Sequence, residues 1–506
     1  MKTDRSLFAV ALGVTVLLTT ANFPVWAADP PTPTPTGPQA DGPFRKVILD
    51  SDRSAEPGGA IQDTLIDPME LSVARDGRVF WVERDGLVKM WKPSDQKSVV
   101  IGKFGVFRGL EDGLLGMTLD PKFDQNNWVY LNRSLPDNAT DAQGKKSGVI
   151  RVSRFTLKGE SLDAGSETPI IDVPTQREQC CHVGGSLAFD SKGNLFMSIG
   201  DNTNPFESDG YSPVDEREGR SPWDAQKSAA NANDLRGKIL RITPKPEGGF
   251  SIPEGNLFKP GTPGTRPEIY VMGCRNPFRI NVDQRSGDVY WGDVGPDAGG
   301  MNETRGPAGH DEVNQARQAG NFGWPYFVGE NRAYWHWDFV HKTNDFKHNP
   351  AKPVNHSPNN TGITDLPPAQ PAWISYPAGP TAKFPVLNAG GGRTAMAGPV
   401  YYYDEKLKSA HKLPKEFDHT LFIYEWSRNW IVAVHLDENR NVAKGPDGKM
   451  RMERFCPNMT FKRPMDMELG ADGCLYLIEY GTAWGNNKDT QIIRIEHHGE
   501  ASQASR

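Results

Sequence analysis

Short apolar runs separated by turns recur along most of the chain, and stretches with a helical period are few. Six of these runs follow a turn and carry an aromatic residue at a comparable place: Phe80, Tyr130, Phe196, Tyr290, Phe422 and Tyr476. In four of them the local pattern is Gly-x-apolar-aromatic. Repetition of this kind predicts a β-propeller, whose blades pack against their neighbours around a central channel. Six units predict six blades.

Each of these runs is followed by a segment suited to the next antiparallel strand, at residues 87–91, 149–155, 238–242, 312–314, 431–434 and 491–495. The aromatic residues are unevenly spaced, so we expect long loop insertions, the largest between Phe322 and Arg393. The strand-like stretch 44–49 is placed to pair with the last blade and close the ring. The pattern therefore predicts an all-β fold, a six-bladed β-propeller with long loop insertions, over residues 44–498.

The N-terminal segment has a different composition. Lys2 and Arg5 precede an apolar run, and small residues end at Ala27, which is typical of a secretory signal over residues 1–27. An uncleaved membrane anchor is the alternative. Residues 28–43, rich in proline, predict an exposed spacer, and residues 499–506 a tail. We expect a secreted or periplasmic protein with no membrane span after signal removal.

Composition narrows the partners and the chemistry. The 506 residues include 52 glycines and 41 prolines, as expected for many strands joined by turns, and the net charge is −6. Such a mild negative charge argues against nucleic acid or an anionic membrane as partner. The motifs of nicotinamide, nucleotide triphosphate, serine-hydrolase and zincin sites are absent from the sequence.

The stretch from residue 180 to 201 carries the first candidate for chemistry. From Ser186 it predicts a β-hairpin, with His182 just outside it and followed by Gly184 and Gly185. Glycines let a backbone approach a ligand closely, so the imidazole of His182 is placed to face one. A histidine bonded to a neighbouring loop is the alternative. The run from Asp201 to Asn204 is interpreted as a hairpin turn.

The chain has five cysteines, Cys180, Cys181, Cys274, Cys456 and Cys474. Their spacing matches neither a haem attachment site nor a zinc site. In an oxidising compartment we expect Cys456 to bond to Cys474 and the adjacent pair Cys180 and Cys181 to bond to each other, leaving Cys274 free. Two reduced or separately paired thiols are the alternative for the adjacent pair.

Five segments in order carry a family resemblance: residues 111–116 followed by 120–123, 182–185, 275–277, 295–296, and 311–314 running into 320–325. With them the chain resembles the glucose/sorbosone dehydrogenase family. Members of that family are soluble sugar dehydrogenases that use pyrroloquinoline quinone (PQQ) on a six-bladed propeller. The resemblance covers roughly residues 60–480.

The resemblance implies a catalytic set and a cofactor. In the family, the histidine corresponding to His182 is the base that takes the substrate's hydroxyl proton while hydride leaves for the quinone. Arg275, with Asn276 as a neutral donor, matches residues that stabilise negative charge on the quinone oxygen. A purely structural arginine is the alternative for Arg275.

The resemblance also implies calcium. Backbone oxygens of Gly295 and Pro296 correspond to ligands of a Ca²⁺ ion that binds the quinone edge, and Asp311 and Glu312 resemble residues at a second, structural calcium site. For Gly295 and Pro296 a simple turn is the alternative, and for the two carboxylates a solvated face.

Several positions depart from the family pattern. Glu111 stands where the glucose enzymes have glutamine, Ser427-Arg428 replaces a lysine that grips the cofactor, and Met465 replaces the second of two arginines. Arg463 matches the first arginine, and Arg428 is a possible carboxylate clamp. The implied cofactor-binding residues are Glu111, Arg275, Asn276, Arg428 and Arg463.

The resemblance thus implies PQQ- and calcium-dependent oxidation of a sugar, polyol or related alcohol, with electrons passed to an external acceptor. The first alternative is a propeller that has lost the cofactor and binds carbohydrate or a protein partner. A calcium-dependent lactonase is a third possibility. His182, Arg275 and Asn276 favour the enzyme, and the missing lysine favours the binding module.

Overall fold

The structure, a computed structural model, describes residues 39–54, 61–62, 64–109, 111–136, 139–140 and 144–499. The predicted signal segment, most of the spacer and most of the tail lie outside these residues. The described chain forms a six-bladed β-propeller of antiparallel blades, which confirms the predicted fold class. Among the described residues, no helix is both long and apolar enough to cross a membrane.

The first three blades follow one another along the chain. The first consists of Pro68–Val73, Val79–Glu83, Leu87–Lys92 and Lys97–Lys103. The second consists of Leu114–Leu119, Trp128–Ser134, Lys146–Lys158 and Ser161–Gln176, with Ala139–Thr140 added at its third strand. The third consists of His182–Phe189, Leu195–Asn202, Lys238–Pro244 and Ile269–Met272, with Phe250–Ser251 and Gly320–Asn321 added.

The last three blades close the ring. The fourth consists of Pro277–Val282, Val289–Asp293, His310–Ala316 and Ile374–Pro377. The fifth consists of Ala395–Tyr401, Thr420–Glu425, Trp430–His435 and Met452–Arg454. The sixth consists of Pro464–Leu469, Leu475–Glu479, Gln491–His497 and the N-terminal strand Phe44–Ser51.

The seam between the two ends of the chain lies in the sixth blade. Phe44–Ser51 pairs antiparallel with Gln491–His497, and Phe44 lies opposite His497. The predicted closing strand is therefore confirmed. Ala40–Asp41, at the end of the predicted spacer, pairs in turn with Phe44–Ser51 as a further short strand.

The six aromatic residues that marked the repeat all lie on the second strand of their blades, and none is more than 2% exposed. Tyr130 of the second blade packs edge to face against Phe189 of the third, with ring centroids 5.1 Å apart. Burying a large apolar side chain contributes about 1.5–3 kcal/mol. The repeat seen in the sequence is therefore a repeat of buried aromatic side chains on the second strand of each blade.

The remaining short elements lie in connections. The helices are Phe123–Asn126 and the 3₁₀ turns Ser221–Trp223, Ala225–Lys227, Pro385–Leu387 and Lys415–Phe417. The short strand pairs are Arg53–Ser54 with Ile61–Gln62, Phe327–Val328 with Arg332–Ala333, and Trp335–Asp338 with Thr343–Lys347. The last two pairs belong to the large insertion between Phe322 and Arg393, for which the sequence showed no period.

The cysteines follow the prediction only in part. Cys180 and Cys181 are joined by a disulfide, and Cys274 is free and buried. Cys456 and Cys474 are also free, so the predicted bond between them is wrong. The thiol of Cys474 instead donates to the backbone oxygen of His411, 3.2 Å away. Although Cys456 and Cys474 flank neighbouring strands, their sulfur atoms are not bonded to each other.

Candidate functional site

A buried histidine–carboxylate pair lies at one end of the third blade. His182 is the first residue of the strand His182–Phe189. The expectation that it lies just outside the hairpin is therefore wrong, because the strand begins at His182 and not at Ser186. Nδ1 of His182 donates to Oδ1 of Asp201 at 2.8 Å. Asp201 lies in Leu195–Asn202, which corrects the interpretation of this run as a turn. This bond leaves Nε2 of His182 as the ring nitrogen able to accept a proton.

Asp201 is held by further donors. The indole Nε1 of Trp324 donates to its Oδ2 at 2.8 Å, and the backbone N–H of Thr203 donates to its Oδ1 at 3.1 Å. The carboxylate is fully buried and His182 is 6% exposed. A carboxylate with both oxygens satisfied in a dry site fixes the direction of the imidazole that it holds.

Arg275 and Asn276 join this pair from the start of the fourth blade. The backbone oxygen of Arg275 accepts from the N–H of Asp201 at 2.8 Å, and Oδ1 of Asn276 accepts from the N–H of Gly184 at 3.1 Å. Asp293 holds the turn itself, because its carboxylate accepts the backbone N–H groups of both Arg275 and Asn276. Burial raises the pKa of Asp293 to about 7.

The Arg275 guanidinium is buried and incompletely bonded. Its Nη1 donates to the backbone oxygen of Val294 at 2.9 Å, and Nη2 lies 3.7 Å from the Asp297 carboxylate. Its Nε has no hydrogen-bond partner in the described chain. Arg275 lines a small cavity together with Asp293 and Trp324. A buried cation with an unsatisfied donor suits an anionic oxygen of a ligand, so these residues fit the carbonyl or carboxylate oxygens of PQQ.

The residues implied for calcium do not fit that ion. The backbone oxygen of Pro296 accepts from Nη2 of Arg393 at 2.7 Å, and the N–H of Gly295 donates to Oδ1 of Asp311. The other oxygen of Asp311 accepts the N–H of Ala395. A divalent cation bound to the Pro296 oxygen would lie beside a guanidinium, and like charges repel strongly in a buried site. Arg393 already supplies positive charge at this turn.

Glu312 is engaged in the same way. Its Oε1 accepts from the N–H of Gly329 at 2.6 Å and its Oε2 from the amide of Asn314 at 2.9 Å. Burial raises its pKa to about 8. Both oxygens of this carboxyl group thus already accept hydrogen bonds from the protein, which gives Glu312 a structural role at this turn.

The two remaining arginines lie on the fifth and sixth blades. Arg428 donates to the backbone oxygens of Gly392, Leu387, Pro377 and Ala378, and is 8% exposed. These bonds tie down the preceding loop and leave little of its guanidinium for a ligand. Arg463, more accessible, stacks over Trp426 at 4.2 Å and Trp484 at 5.6 Å from ring centroids.

Glu111 and the adjacent disulfide form the edge of the site. The Glu111 carboxylate and the sulfur atoms of Cys180 and Cys181 lie within 4.8 Å of one another. Cys181 directly precedes His182 in the chain. The structure therefore brings His182, Arg275 and Asn276 into one contact cluster, with Glu111 beside the disulfide that precedes His182.

Two site residues escaped sequence reasoning, Asp201 and Trp324. Asp201 had only a partial signal, since it follows the repeat aromatic of its blade by five positions, whereas in four other blades an acidic residue follows that aromatic by three. Trp324 had none, because it reaches Asp201 from the large insertion, and its partner lies 123 residues away.

Comparison with known proteins shows what the chain is similar to. Aldose sugar dehydrogenase YliI of Escherichia coli (strain K12) is 27% identical over 270 residues, which are 52% of this chain and 60% of that protein. Hedgehog-interacting protein of Mus musculus is 24% identical over 244 residues, 45% of this chain and 32% of that protein. The chain thus spans less than two thirds of the length of the curated relatives it matches.

A solved structure shows the same fold over most of the chain. The PQQ-bound form of Aldose Sugar Dehydrogenase (Adh) from Streptomyces coelicolor superposes with a TM-score of 0.54 at 16% identity, covering 91% of this chain and 99% of that one. The sequence model of the Glucose / Sorbosone dehydrogenase family matches residues 65–364, more than half of the chain. The protein belongs to the Glucose / Sorbosone dehydrogenase family.

Proposed function

We propose that this protein oxidises a sugar or a related alcohol, with PQQ as the hydride acceptor. The observation that carries the proposal is the buried His182–Asp201 pair lying against the Arg275–Asn276 turn. Membership of the family and the name of the E. coli relative support the same substrate class.

The histidine has the chemistry of a general base. Its Nε2 takes the proton of the substrate hydroxyl as the carbon-bound hydrogen leaves as hydride. Asp201 keeps Nδ1 protonated and stabilises the imidazolium that forms. Because His182 and Asp201 are almost fully buried, the hydrogen bond between them is not weakened by competition with water.

Arg275 and Asn276 provide binding and charge. Bound PQQ would supply the acceptor for the hydride that leaves the substrate carbon. The Arg275 guanidinium would hold an anionic oxygen of the cofactor and stabilise the charge that develops there. Asp293, by fixing the backbone of both residues, positions this donor set.

Calcium has no step in this proposal, although the family resemblance implied it. Arg393 donates to the Pro296 oxygen that such an ion would need. We therefore assign the positive charge at the Gly295–Pro296 turn to this guanidinium. Arg463 is the second cationic group that we assign to cofactor binding, and Arg428 is assigned to positioning of the loop before the fifth blade.

We further propose that the protein acts outside the cytoplasm, in the periplasm or secreted. The signal-like residues 1–27 support this location, as does the Cys180–Cys181 disulfide, because disulfides persist in oxidising compartments.

The second candidate function is a non-catalytic propeller that binds carbohydrate or a protein. The observation favouring it concerns Arg428, which replaces the family lysine that binds the cofactor. Its guanidinium donates to backbone oxygens, which leaves little of it to bind a cofactor. The relative named Hedgehog-interacting protein supports the same alternative.

Quinone uptake separates the two functions. Purified protein is mixed with PQQ in the presence of calcium or of a calcium chelator, uptake is followed by absorbance and calorimetry, and dye reduction is then measured with aldoses and polyols. We expect uptake in both conditions. We expect His182→Ala to keep uptake and to lower turnover by about 100-fold or more, since a general base contributes factors of about 10²–10⁴.

His341→Ala is the matched control, because this exposed histidine also bonds an aspartate, Asp338. Absence of uptake under every condition would replace the dehydrogenase with the binding module. Uptake that requires calcium would contradict the role given to Arg393.

A further inference from the structure

A cavity of about 360 Å³ lies between the second and third blades, separate from the small cavity beside Arg275. Its walls come from the end of Ser161–Gln176, the start of Lys146–Lys158 and the segment before Lys238–Pro244. These strand ends lie on the face of the ring that carries His182, since neighbouring strands of a blade run antiparallel. The cavity therefore opens beside the candidate site.

The walls of this cavity are mainly cationic, in a chain whose net charge is −6. Five basic side chains line it, Lys145, Lys146, Lys227, Arg236 and Arg266, against two carboxylates, Glu178 and Asp234. Asp234 pairs with Arg236 at 2.6 Å, and Glu268, just outside, pairs with Arg266 at 2.6 Å. The two arginines are thus neutralised by carboxylates, whereas no carboxylate of the described residues forms an ion pair with Lys227.

Lys227 is the most enclosed of the three lysines. Its Nζ has one weak contact, 3.5 Å from the Ser221 hydroxyl, and no carboxylate of the described residues forms an ion pair with it. Burial, and then the nearby Arg236 charge, lower its pKa to about 8. A half-buried ammonium without a counter-ion gains free energy when an anion enters.

Thr175 provides an independent sign of a ligand. Thr175 lines the same cavity and is 5% exposed, and its hydroxyl has no hydrogen-bond partner in the described chain. Buried hydroxyl groups are normally bonded, so an unsatisfied one in the wall of a cavity that Lys227 also lines marks a place for an acceptor oxygen.

Hydrogen bonds of one residue, Asn202, connect the wall of this cavity to the candidate site. The side chain of Asn202, the residue after Asp201, accepts from Arg236 at 3.0 Å and from the backbone N–H of Gln176 at 2.8 Å. Along the chain, Glu178 of the cavity wall is four residues before His182, which limits their separation to about 14 Å. One substrate molecule is long enough to reach both if it has more than one sugar unit.

We propose that this cavity is an oxyanion subsite that binds an acidic group of the substrate, one or more sugar units away from the carbon that faces His182. The substrate class is then an acidic oligosaccharide, whose carboxylate or sulfate group lies between Lys227 and the Thr175 hydroxyl. This inference rests on the proposed function for the reacting end of the substrate, but the anion site itself does not.

Anion binding is tested first, without quinone. The full chain is titrated calorimetrically with sulfate and with glucuronate, against chloride at equal ionic strength and against glucose. We expect saturable binding of one sulfate or glucuronate, and an affinity at least about tenfold lower in Lys227→Met, because the variant loses a charged hydrogen bond to the anion. Lys192→Met, at an exposed lysine outside the cavity, is the matched control.

The second measurement uses the quinone-loaded protein and compares cellobiouronic acid with cellobiose, and a sulfated disaccharide with its neutral parent. The two pairs distinguish carboxylate from sulfate as the group recognised. We expect kcat/KM to favour the acidic member of at least one pair, and Lys227→Met, but not Lys192→Met, to lower that preference about tenfold. Thr175→Val is expected to lower it by a smaller factor.

Absence of anion binding in the wild type, or binding unchanged in Lys227→Met, would overturn the subsite. Anion binding with equal kcat/KM for acidic and neutral sugars would overturn its role in substrate recognition. A protein that binds sulfate through Lys227 but takes up no quinone would refute the proposed oxidation and leave the anion site in place.

Discussion

The carboxylate of Asp201 accepts three hydrogen bonds, from the His182 imidazole, the Trp324 indole and the backbone N–H of Thr203. The donors come from the third blade and from the large insertion, so the pair is locked from two sides. This makes Asp201 a positioning residue whose effect is separable from that of the base. A change that keeps its size but alters its hydrogen-bonding should therefore act on the tautomer of the histidine alone.

We expect Asp201→Asn to lower turnover by about 10²–10⁴-fold while quinone uptake stays near the wild-type level. The amide can offer an N–H to Nδ1, which shifts the ring proton to Nε2 and removes the acceptor that the substrate needs. Turnover is measured by dye reduction and uptake by absorbance. Asp209→Asn, at a side chain that is 83% exposed, serves as control. Equal uptake loss and rate loss in Asp201→Asn would indicate a structural role only.

Sequence reasoning reached His182 and Arg275 through their family segments, but it missed the carboxylate between them. In four blades the acidic residue follows the repeat aromatic by three positions, as Glu83 follows Phe80, whereas Asp201 follows Phe196 by five. Two register shifts between His182–Phe189 and Leu195–Asn202 accompany this change. A pattern defined by fixed spacing cannot anticipate an irregular strand pair.

At the scale of strands, these carboxylates form a structural repeat. The second strands of four blades end on Glu83, Asp293, Glu425 and Glu479. Asp293, Glu425 and Glu479 accept backbone N–H groups from the residues just before the first strand of the same blade. In the third blade the second strand ends on Asn202, and Asp201, the residue before it, accepts from the side chain of His182. The candidate catalytic pair thus lies next to the position that other blades use to fix a strand end.

We expect Asp293→Ala to lower the free energy of unfolding by about 2–5 kcal/mol. Two buried backbone N–H groups lose their acceptor, and each unsatisfied group costs about 1–3 kcal/mol. Urea unfolding followed by fluorescence measures the change, with the exposed Asp209→Ala as reference. A loss below about 1 kcal/mol would mean that another acceptor replaces the carboxylate.

The strand pattern was the most predictable part of the molecule. All six predicted aromatic strands and the segments chosen to follow them are the second and third strands of the six blades. The Cys456–Cys474 bond was less predictable, because a disulfide depends on side-chain directions that a strand pattern does not give. Arg393 donates a hydrogen bond to the Pro296 backbone oxygen. It follows a 70-residue insertion after Phe322 in which the sequence shows no helix or strand period.

For the whole molecule, the interior carries acidic groups whose pKa values burial raises to about 7 or about 8, namely Glu70, Glu83, Asp293, Glu312 and Glu425. The unfolded chain loses these protons near pH 4 to 4.5, so between about pH 5 and 6.5 the folded state binds more protons. Stability from these groups is full below that range and falls as the pH rises. His348, with a pKa lowered to about 3 by burial, and His310, also lowered, act in the opposite direction.

Because five carboxyl groups outweigh two histidines, we expect the thermal midpoint to be higher at pH 5 than at pH 6.5. Calorimetry at constant ionic strength measures it. Glu312→Gln, which keeps the shape of the side chain but cannot ionise, should reduce the difference. A midpoint that rises from pH 5 to 6.5 would show that these carboxyl groups stay ionised in the folded state.

The strand Phe44–Ser51 leads the folded chain but completes its last blade. During synthesis it emerges first, and its partner, Gln491–His497, emerges last. Until then the side of this strand that pairs with Gln491–His497 has no partner, and an exposed strand edge is a hazard for aggregation. Any truncation before residue 491 makes that temporary state permanent. The ring can therefore be completed only after Gln491–His497 has been synthesised.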